Sequence, residues 1–224
     1  MIKVNLGSGF VGLDGWHNYD NSILAKLSKV PGMISLLIKL GLLYVGYRDV
    51  KWPPIIIHDC TKGIPLADGS VTFIYTSHFL EHLYRYQVLA LLKECHRVLK
   101  EGCRLRIVLP DIDRIIGLYK SGTSASLLKG HKDETVAFVE SDYFCANFFS
   151  QDMNSAAKPG MVKRLSEKFL RRHLWMYTRE SITTLLRAAG FSKIEERAFG
   201  DSSFPECIKL DAHKEVSFYI EAEK

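Results

Sequence analysis

The sequence predicts an α/β protein on an open, mostly parallel sheet, and three observations carry that expectation. A short β-type run, Ile2–Leu6, breaks into Gly7-Ser8-Gly9. Two further runs end in carboxylates, Trp16-His17-Asn18-Tyr19-Asp20 and Ile55-Ile56-Ile57-His58-Asp59. A fourth strand, an amphipathic helix and a fifth strand then follow in order, with the apolar spacing changing from strand to helix and back.

Each element has a local reason. Gly7 and Gly9 tolerate φ > 0 and lack a Cβ, so the chain can turn sharply and bring its backbone against a ligand. A loop at the carboxyl end of a first strand is where open α/β sheets bind nucleotide-like cofactors, although G-x-G alone serves equally as a plain turn. Asp20 ends the second strand where an acidic residue accepts ribose hydroxyls. Only a short loop separates it from the glycines, so the first crossover helix is expected to be missing or drastically shortened. A parallel connection normally takes a dozen or more residues.

The β-branched run at 55–59 reads as a buried strand. Residues 64–70 form a turn-rich loop before the fourth strand at 71–75. Val88, Leu91, Leu92, Cys95, Val98 and Leu99 then share one helical face. Gly102 is expected to close that helix, and 103–109 is the fifth strand, leading into Pro110-Asp111. Later, Ile182, Leu185, Leu186 and Ala189 form a helical stripe with Thr178 as N-cap and Gly190 at its end. Two alternating strands follow, at 192–197 and 216–221.

Length and composition fit one domain. The chain has 224 residues, 47% of them hydrophobic, and a net charge of +5. Five scattered cysteines, Cys60, Cys95, Cys103, Cys145 and Cys207, make no C-x-x-C pair. With no charged-then-apolar leader before Ile2, the expectation is a reduced, cytoplasmic protein without disulfides or a zinc ribbon. Lys158, Lys163, Arg164, Lys168, Arg171, Arg172 and His173 cluster in one segment. That cluster reads as a solvated face or a rim for an anionic substrate, and thin aromatic interleaving argues against nucleic acid. The apolar stretch 33–47 is too short to span a bilayer. A packed lid or structural helix is favoured there over a membrane contact.

Taken in order, LGSG, GWHNYD, a strand ending in HD, IPLADGSVTFIYTSHFLEHL and ECHRVLKEGCRLRIVLPD resemble a class I S-adenosylmethionine-dependent methyltransferase. More narrowly, the chain is similar to the small methyltransferases associated with glycan-biosynthesis genes. His173-x-Trp175-x-Tyr177-Thr178 and the closing Ser217-Phe218-Tyr219-Ile220-Glu221-Ala222 continue the likeness. It covers the chain except 21–54 and 121–167. The resemblance implies a Rossmann-like sheet with an antiparallel C-terminal edge, one domain over 1–224, and the two uncovered stretches as lid and substrate cover. It implies S-adenosylmethionine as cofactor and methyl transfer to an oxygen or nitrogen of a small molecule, with a sugar or glycan precursor as the suggested acceptor.

On that resemblance, Leu6, Gly7, Ser8 and Gly9 approach the methionine end of the cofactor, Asp20 the ribose, and Asp59 with Cys60 the adenine. Thr76 and Ser77 leave the fourth strand beside the methyl group. His78 is the candidate general base, because imidazole titrates near neutrality. Asp111 is the second base or substrate-binding candidate. Each has a structural alternative: a strand-end hydrogen bond for His78 and a helix N-cap for Asp111. His82, turned inward beside the helix start, reads as structural but is kept as a substrate-binding candidate with His173 and Trp175, which form either a substrate wall or part of the core. No metal is assigned.

Two other functions stay open at this level. One is a non-catalytic S-adenosylmethionine-binding regulator. The other is a zinc hydrolase, since His78-x-x-Glu81-His82 has the H-x-x-E-H spacing of inverted zinc peptidases.

Overall fold

The computed structural model describes residues 1–43, 45–122 and 173–224. Its seven strands are β1 (Ile2–Leu6), β2 (His17–Asp20), β3 (Ile55–Ile57), β4 (Val71–Ser77), β5 (Leu99–Pro110), β6 (Ser192–Arg197) and β7 (Ser217–Glu223). They form one sheet in the order β3-β2-β1-β4-β5-β7-β6. The pairs from β3 across to β5 are parallel, and β7 lies antiparallel to both β5 and β6. This is the expected mostly parallel sheet with an antiparallel C-terminal edge. Strand order runs outward in opposite directions from β1 and β4, which makes their carboxyl ends the topological switch point. Leu6 and Thr76 stand side by side there.

One face of the sheet is buried as the periodicity predicts. Helix α3 (Arg85–Val98) presents Val88, Leu91, Leu92, Cys95 and Val98. Val4, Leu6, Ile74, Leu105, Ile107 and Ile220 meet them from the strands. Each such large aliphatic side chain contributes roughly 1.5–3 kcal/mol on leaving water. A second helix from 179 to 188 (Arg179–Ala188) adds Ile182, Leu185 and Leu186 to the same core. Thr178 caps it by accepting the Ser181 amide at 3.1 Å.

The opposite face has a different cover, because the first crossover carries no helix. Between β1 and β2 the chain runs as turns and loop from Gly7 to Trp16. A 3-10 segment, Pro205–Leu210, packs there instead, with Trp16, Phe73, Tyr75, Val108, Cys207, Leu210 and Tyr219 forming a second core. Phe204 stacks on Phe73 at 4.5 Å. Two buried asparagines supply the hydrogen bonds that a helix would have made for itself. Asn18 Nδ2 donates to the carbonyls of Leu13 and Pro54, and Asn5 Nδ2 donates to that of Val11 and to Asn18 Oδ1. Buried backbone groups need such partners, so these residues are what make a helix-free crossover tenable.

Several local expectations are corrected. The run at 55–59 is a strand only over Ile55–Ile57 and is not the buried one expected: as the outermost strand of the sheet it leaves Ile56 and Ile57 42% and 37% exposed. Gly102 does not close α3; Leu99 is already extended at the helix end, and Gly102 sits in an irregular part of β5 with φ of 71°. The break is visible in the register, where Val71 pairs with Leu99 but Phe73 with Arg104. The stretch 33–47 begins as helix α2 (Met33–Lys39), following α1 (Ile23–Ser28), but none of α2's residues is buried. Leu36 and Leu40 are 50% and 60% exposed while Met33, Ile34, Leu37 and Ile38 are half-buried, and no described helix is long and apolar enough to cross a membrane. The H-x-x-E-H motif is not helical either. Leu80–His82 is a single 3-10 turn, and His78 lies before it at φ 47°, so the two histidines share no helical face as a zinc-peptidase site requires. The insertion 121–167, with Tyr143, Phe144, Phe148 and Phe149, and the basic cluster up to Arg172 lie outside the described residues apart from Ser121 and Gly122.

Candidate active site

Two hollows open at the carboxyl ends of β1 and β4 and share Gly7. The first is lined by Gly7, Tyr19, Asp20, Asn21, His58, Asp59, Cys60, Thr61, Phe79 and Leu83. The second is lined by Gly7, Ser8, Gly9, Ser77, His78 and His213, with Asn5, Phe10, Val11, Tyr75, Leu210 and Ala212 around them. The predicted glycine loop, both strand-end acids, Cys60, Ser77 and His78 are therefore brought together.

The loop owes its shape to its two glycines and to Asp20. Gly7 and Gly9 have φ of 66° and 54°. A Cβ on Gly7 would stand 2.3 Å from the Phe79 ring, whereas one on Gly9 would meet nothing within 4 Å. Gly9 thus turns toward open space and Gly7 toward a packed ring. Asp20 is buried, and its carboxylate accepts the Gly9 amide at 2.8 Å and the Ser22 amide at 2.6 Å. Asp59 starts the next turn, accepting from the Thr61 amide and hydroxyl at 3.2 and 2.7 Å. Cys60 behind it stays a thiol. Burial first, then the Asp59 and Asp20 charges, push its pKa up to about 12.

His78 is held at both ring nitrogens. Its Nε2 lies 2.8 Å from Ser217 Oγ, and its Nδ1 lies 3.4 Å from Glu81 Oε1, an ion-pair distance without hydrogen-bond geometry. His213, a residue no sequence signal marks, stacks edge-on against it at 4.6 Å. Burial, and then the neighbouring His78, hold the His213 pKa below its ordinary value. Glu81 is fully buried. Burial alone would raise its carboxyl, but the neighbouring His78 and His82 outweigh this and hold it below the usual range.

Other predicted residues have different places. Thr76 lines neither hollow; its hydroxyl donates to the Leu6 carbonyl at 3.2 Å inside the sheet, and Leu6 itself is core. Asp111 is also drawn away. Its Oδ1 caps α4 (Ile112–Lys120) by accepting the Arg114 amide at 3.1 Å, and Arg179 grips both oxygens at 3.0 and 2.7 Å. Burial raises its pKa, but Arg179 and the Arg114 amide more than reverse that, so it is a firmly ionised structural anchor rather than a base. His82, His173 and Trp175 do not line either hollow. His82 and His173 face each other at 5.1 Å, and Trp175 is 47% exposed with the Arg85 guanidinium 5.9 Å from its ring. Sequence reasoning missed Phe79, Tyr19 and His58 as lining residues; the Gly7–Phe79 contact was beyond the reach of any local pattern.

The features that would suit S-adenosylmethionine are present: backbone open at Gly9, carboxylates at the ends of two adjacent strands, and a hollow on either side of Gly7. Residues 43–107 match the family described as a methyltransferase domain. That match begins beyond the glycine loop, so the loop's assignment rests on its own geometry. No curated protein matches the sequence. Among solved structures, an S-adenosylmethionine-dependent methyltransferase from Methanosarcina mazei is 15% identical, with 99% of this chain and 91% of that one covered and a TM-score of 0.50. One from Archaeoglobus fulgidus is 16% identical, with 99% and 85% covered and a TM-score of 0.49. One from Mesorhizobium loti is 16% identical, with 100% and 90% covered and a TM-score of 0.46. At 15% identity the likeness to the Methanosarcina mazei protein is one of fold.

Proposed function

We propose, for a chain whose domain match and fold are those of S-adenosylmethionine-dependent methyltransferases, that it transfers a methyl group to an oxygen or nitrogen nucleophile of a small molecule. A sugar or glycan precursor is the acceptor class that the sequence resemblance favours. The observation that carries this reading is the pair of hollows meeting at Gly7, acid-lined on one side and histidine-lined on the other.

S-adenosylmethionine supplies an already activated methyl group, so the protein's task is alignment and exclusion of water. Asp20 and Asp59 are acceptors suited to ribose hydroxyls and an exocyclic amine, and Gly7 to Gly9 offer backbone without side chains in the way. Buried Cys60 and Leu83, with the Phe79 ring, dry the first hollow. On the other side, His78 is the group placed to take a proton from an acceptor hydroxyl. Glu81 lies against Nδ1, so the acceptor hydroxyl must reach Nε2 through, or in place of, the Ser217 hydroxyl bonded there.

The test is a radiolabelled methyl-transfer assay against a panel of sugar hydroxyls and amines, using wild type and His78→Ala. Loss of a general base lowers kcat by about 10²–10⁴-fold, with S-adenosylmethionine affinity retained. Unchanged turnover in the variant removes His78 from the chemistry. Absence of transfer to every acceptor, despite cofactor binding, rejects the sugar assignment.

A further inference from the structure

We propose that Glu81, His82 and His173 form a binding site for a divalent transition-metal ion of the zinc class. One carboxylate oxygen and one ring nitrogen from each histidine lie within 4.8 Å of one another. The three come from two places far apart in sequence, the turn after β4 and the loop that leads into the helix Arg179–Ala188.

The independent pointer is Glu81 itself. It is completely buried, and neither carboxylate oxygen has a hydrogen-bond partner. A buried carboxylate is strongly penalised unless paired and hydrogen-bonded. What surrounds this one is imidazole nitrogen: His78 Nδ1 at 3.4 Å and His173 Nε2 at 3.8 Å from Oε1. A dication held between Glu81, His82 and His173 would compensate the charge and satisfy the oxygen together.

The backbone has already made the approach. The amides of Leu174 and Trp175 both donate to the Glu81 carbonyl, at 2.7 and 3.2 Å, and so fix His173 against the Leu80–His82 turn. Zinc takes nitrogen and oxygen ligands at about 2.0–2.2 Å in a tetrahedral array, which sets ligand atoms about 3.3–3.6 Å apart. Binding therefore requires the widest pair of ligand atoms to close by about 1 Å. Two imidazoles and one carboxylate favour zinc, manganese or iron over calcium and magnesium, and three protein ligands leave a further position open. Because Glu81 also contacts His78, the ion would orient that ring through the shared carboxylate.

This inference does not rest on methyl transfer, and S-adenosylmethionine titrations on the same samples keep the two separate. Full-length protein, stripped with chelator, is titrated with Zn²⁺ by calorimetry and with Co²⁺ by visible absorption. Expected are one ion per chain and Co²⁺ d–d bands without a thiolate charge-transfer band. His173→Ala and His82→Ala should each weaken Zn²⁺ at least tenfold while His17→Ala does not, with circular dichroism checking that each variant is folded. No stoichiometric ion in wild type, a thiolate band, or affinity unchanged in folded His173→Ala would overturn the proposal. If the variants unfold, the wild-type stoichiometry and Co²⁺ spectrum decide it alone.

Discussion

Asp20 accepts the backbone N–H of Gly9 at 2.8 Å with one carboxylate oxygen, and that of Ser22 at 2.6 Å with the other. The acid that ends β2 therefore shapes the glycine loop as well as facing the first hollow. In a crossover without a helix, this pair of bonds ties the ends of β1 and β2 together.

A consequence follows for the protein without any ligand. Asp20→Asn replaces one acceptor with an N–H that must face a backbone donor. Leaving a buried donor unsatisfied costs about 1–3 kcal/mol, so urea unfolding of the cofactor-free variant should show a loss of that size. Unchanged stability would confine Asp20 to ligand contact.

The two glycines should respond differently to a methyl group. Both occupy left-handed φ, where a non-glycine residue costs about 1–2 kcal/mol. Gly9→Ala should lose about that much. Gly7→Ala also drives its Cβ into the Phe79 ring, 2.3 Å away, and should be clearly worse in both folding and cofactor binding. Equal losses would contradict the packing described around Gly7.

The sheet was legible in the sequence because strands and helices are set by local periodicity. The runs at 2–6 and 17–20 and the α3 stripe read correctly for that reason, whereas 55–57 is a strand but not the buried one its β-branched run suggested, because it lies at the sheet edge. The short crossover was legible too, because the few residues between Leu6 and His17 leave room for at most a drastically shortened helix. The cover on the other face was not, since Phe204 and Leu210 reach Phe73 and Tyr75 only through the finished topology. The same limit applies to Asp111. A carboxylate after a strand reads equally as base or cap, and Arg179, 68 residues away, decides for the cap. Over 33–39 the apolar composition gives a helix with one half-buried face, Met33, Ile34, Leu37 and Ile38, and no fully buried residue.

Acid should expose the Asp111–Arg179 pair. Asp111 titrates below its ordinary value in the folded state because Arg179 and the Arg114 amide outweigh burial. Its contribution is therefore complete above the unfolded pKa of about 3.9 and is lost as pH falls through the lower folded value. Asp111→Asn should be less stable than wild type at pH 6, with the gap narrowing below about pH 4. Denaturant midpoints across that range test it; a gap that widens in acid would contradict the pairing.

Arg106 is a separate structural dependence. It is fully buried, donates to Asp211 at 2.6 Å and Glu221 at 3.2 Å, and bonds the carbonyls of Asp201 and Ala198. Removing one partner of a buried ion pair costs about 3–5 kcal/mol. Arg106→Ala should lose that much in urea unfolding and loosen the Pro205–Leu210 cover. A change under about 1 kcal/mol would mean that water replaces the guanidinium readily.

The central claim is that the loop from Gly7 to Gly9, organised by Asp20, forms an S-adenosylmethionine site. Calorimetric titration of the purified chain with S-adenosylmethionine, repeated with Asp20→Ala, tests it most directly. The account predicts one site per chain with affinity on the order of micromolar, about −8 kcal/mol, and at least tenfold weaker binding in the variant. No heat of binding in folded wild-type protein, or equal affinity in both, would contradict it.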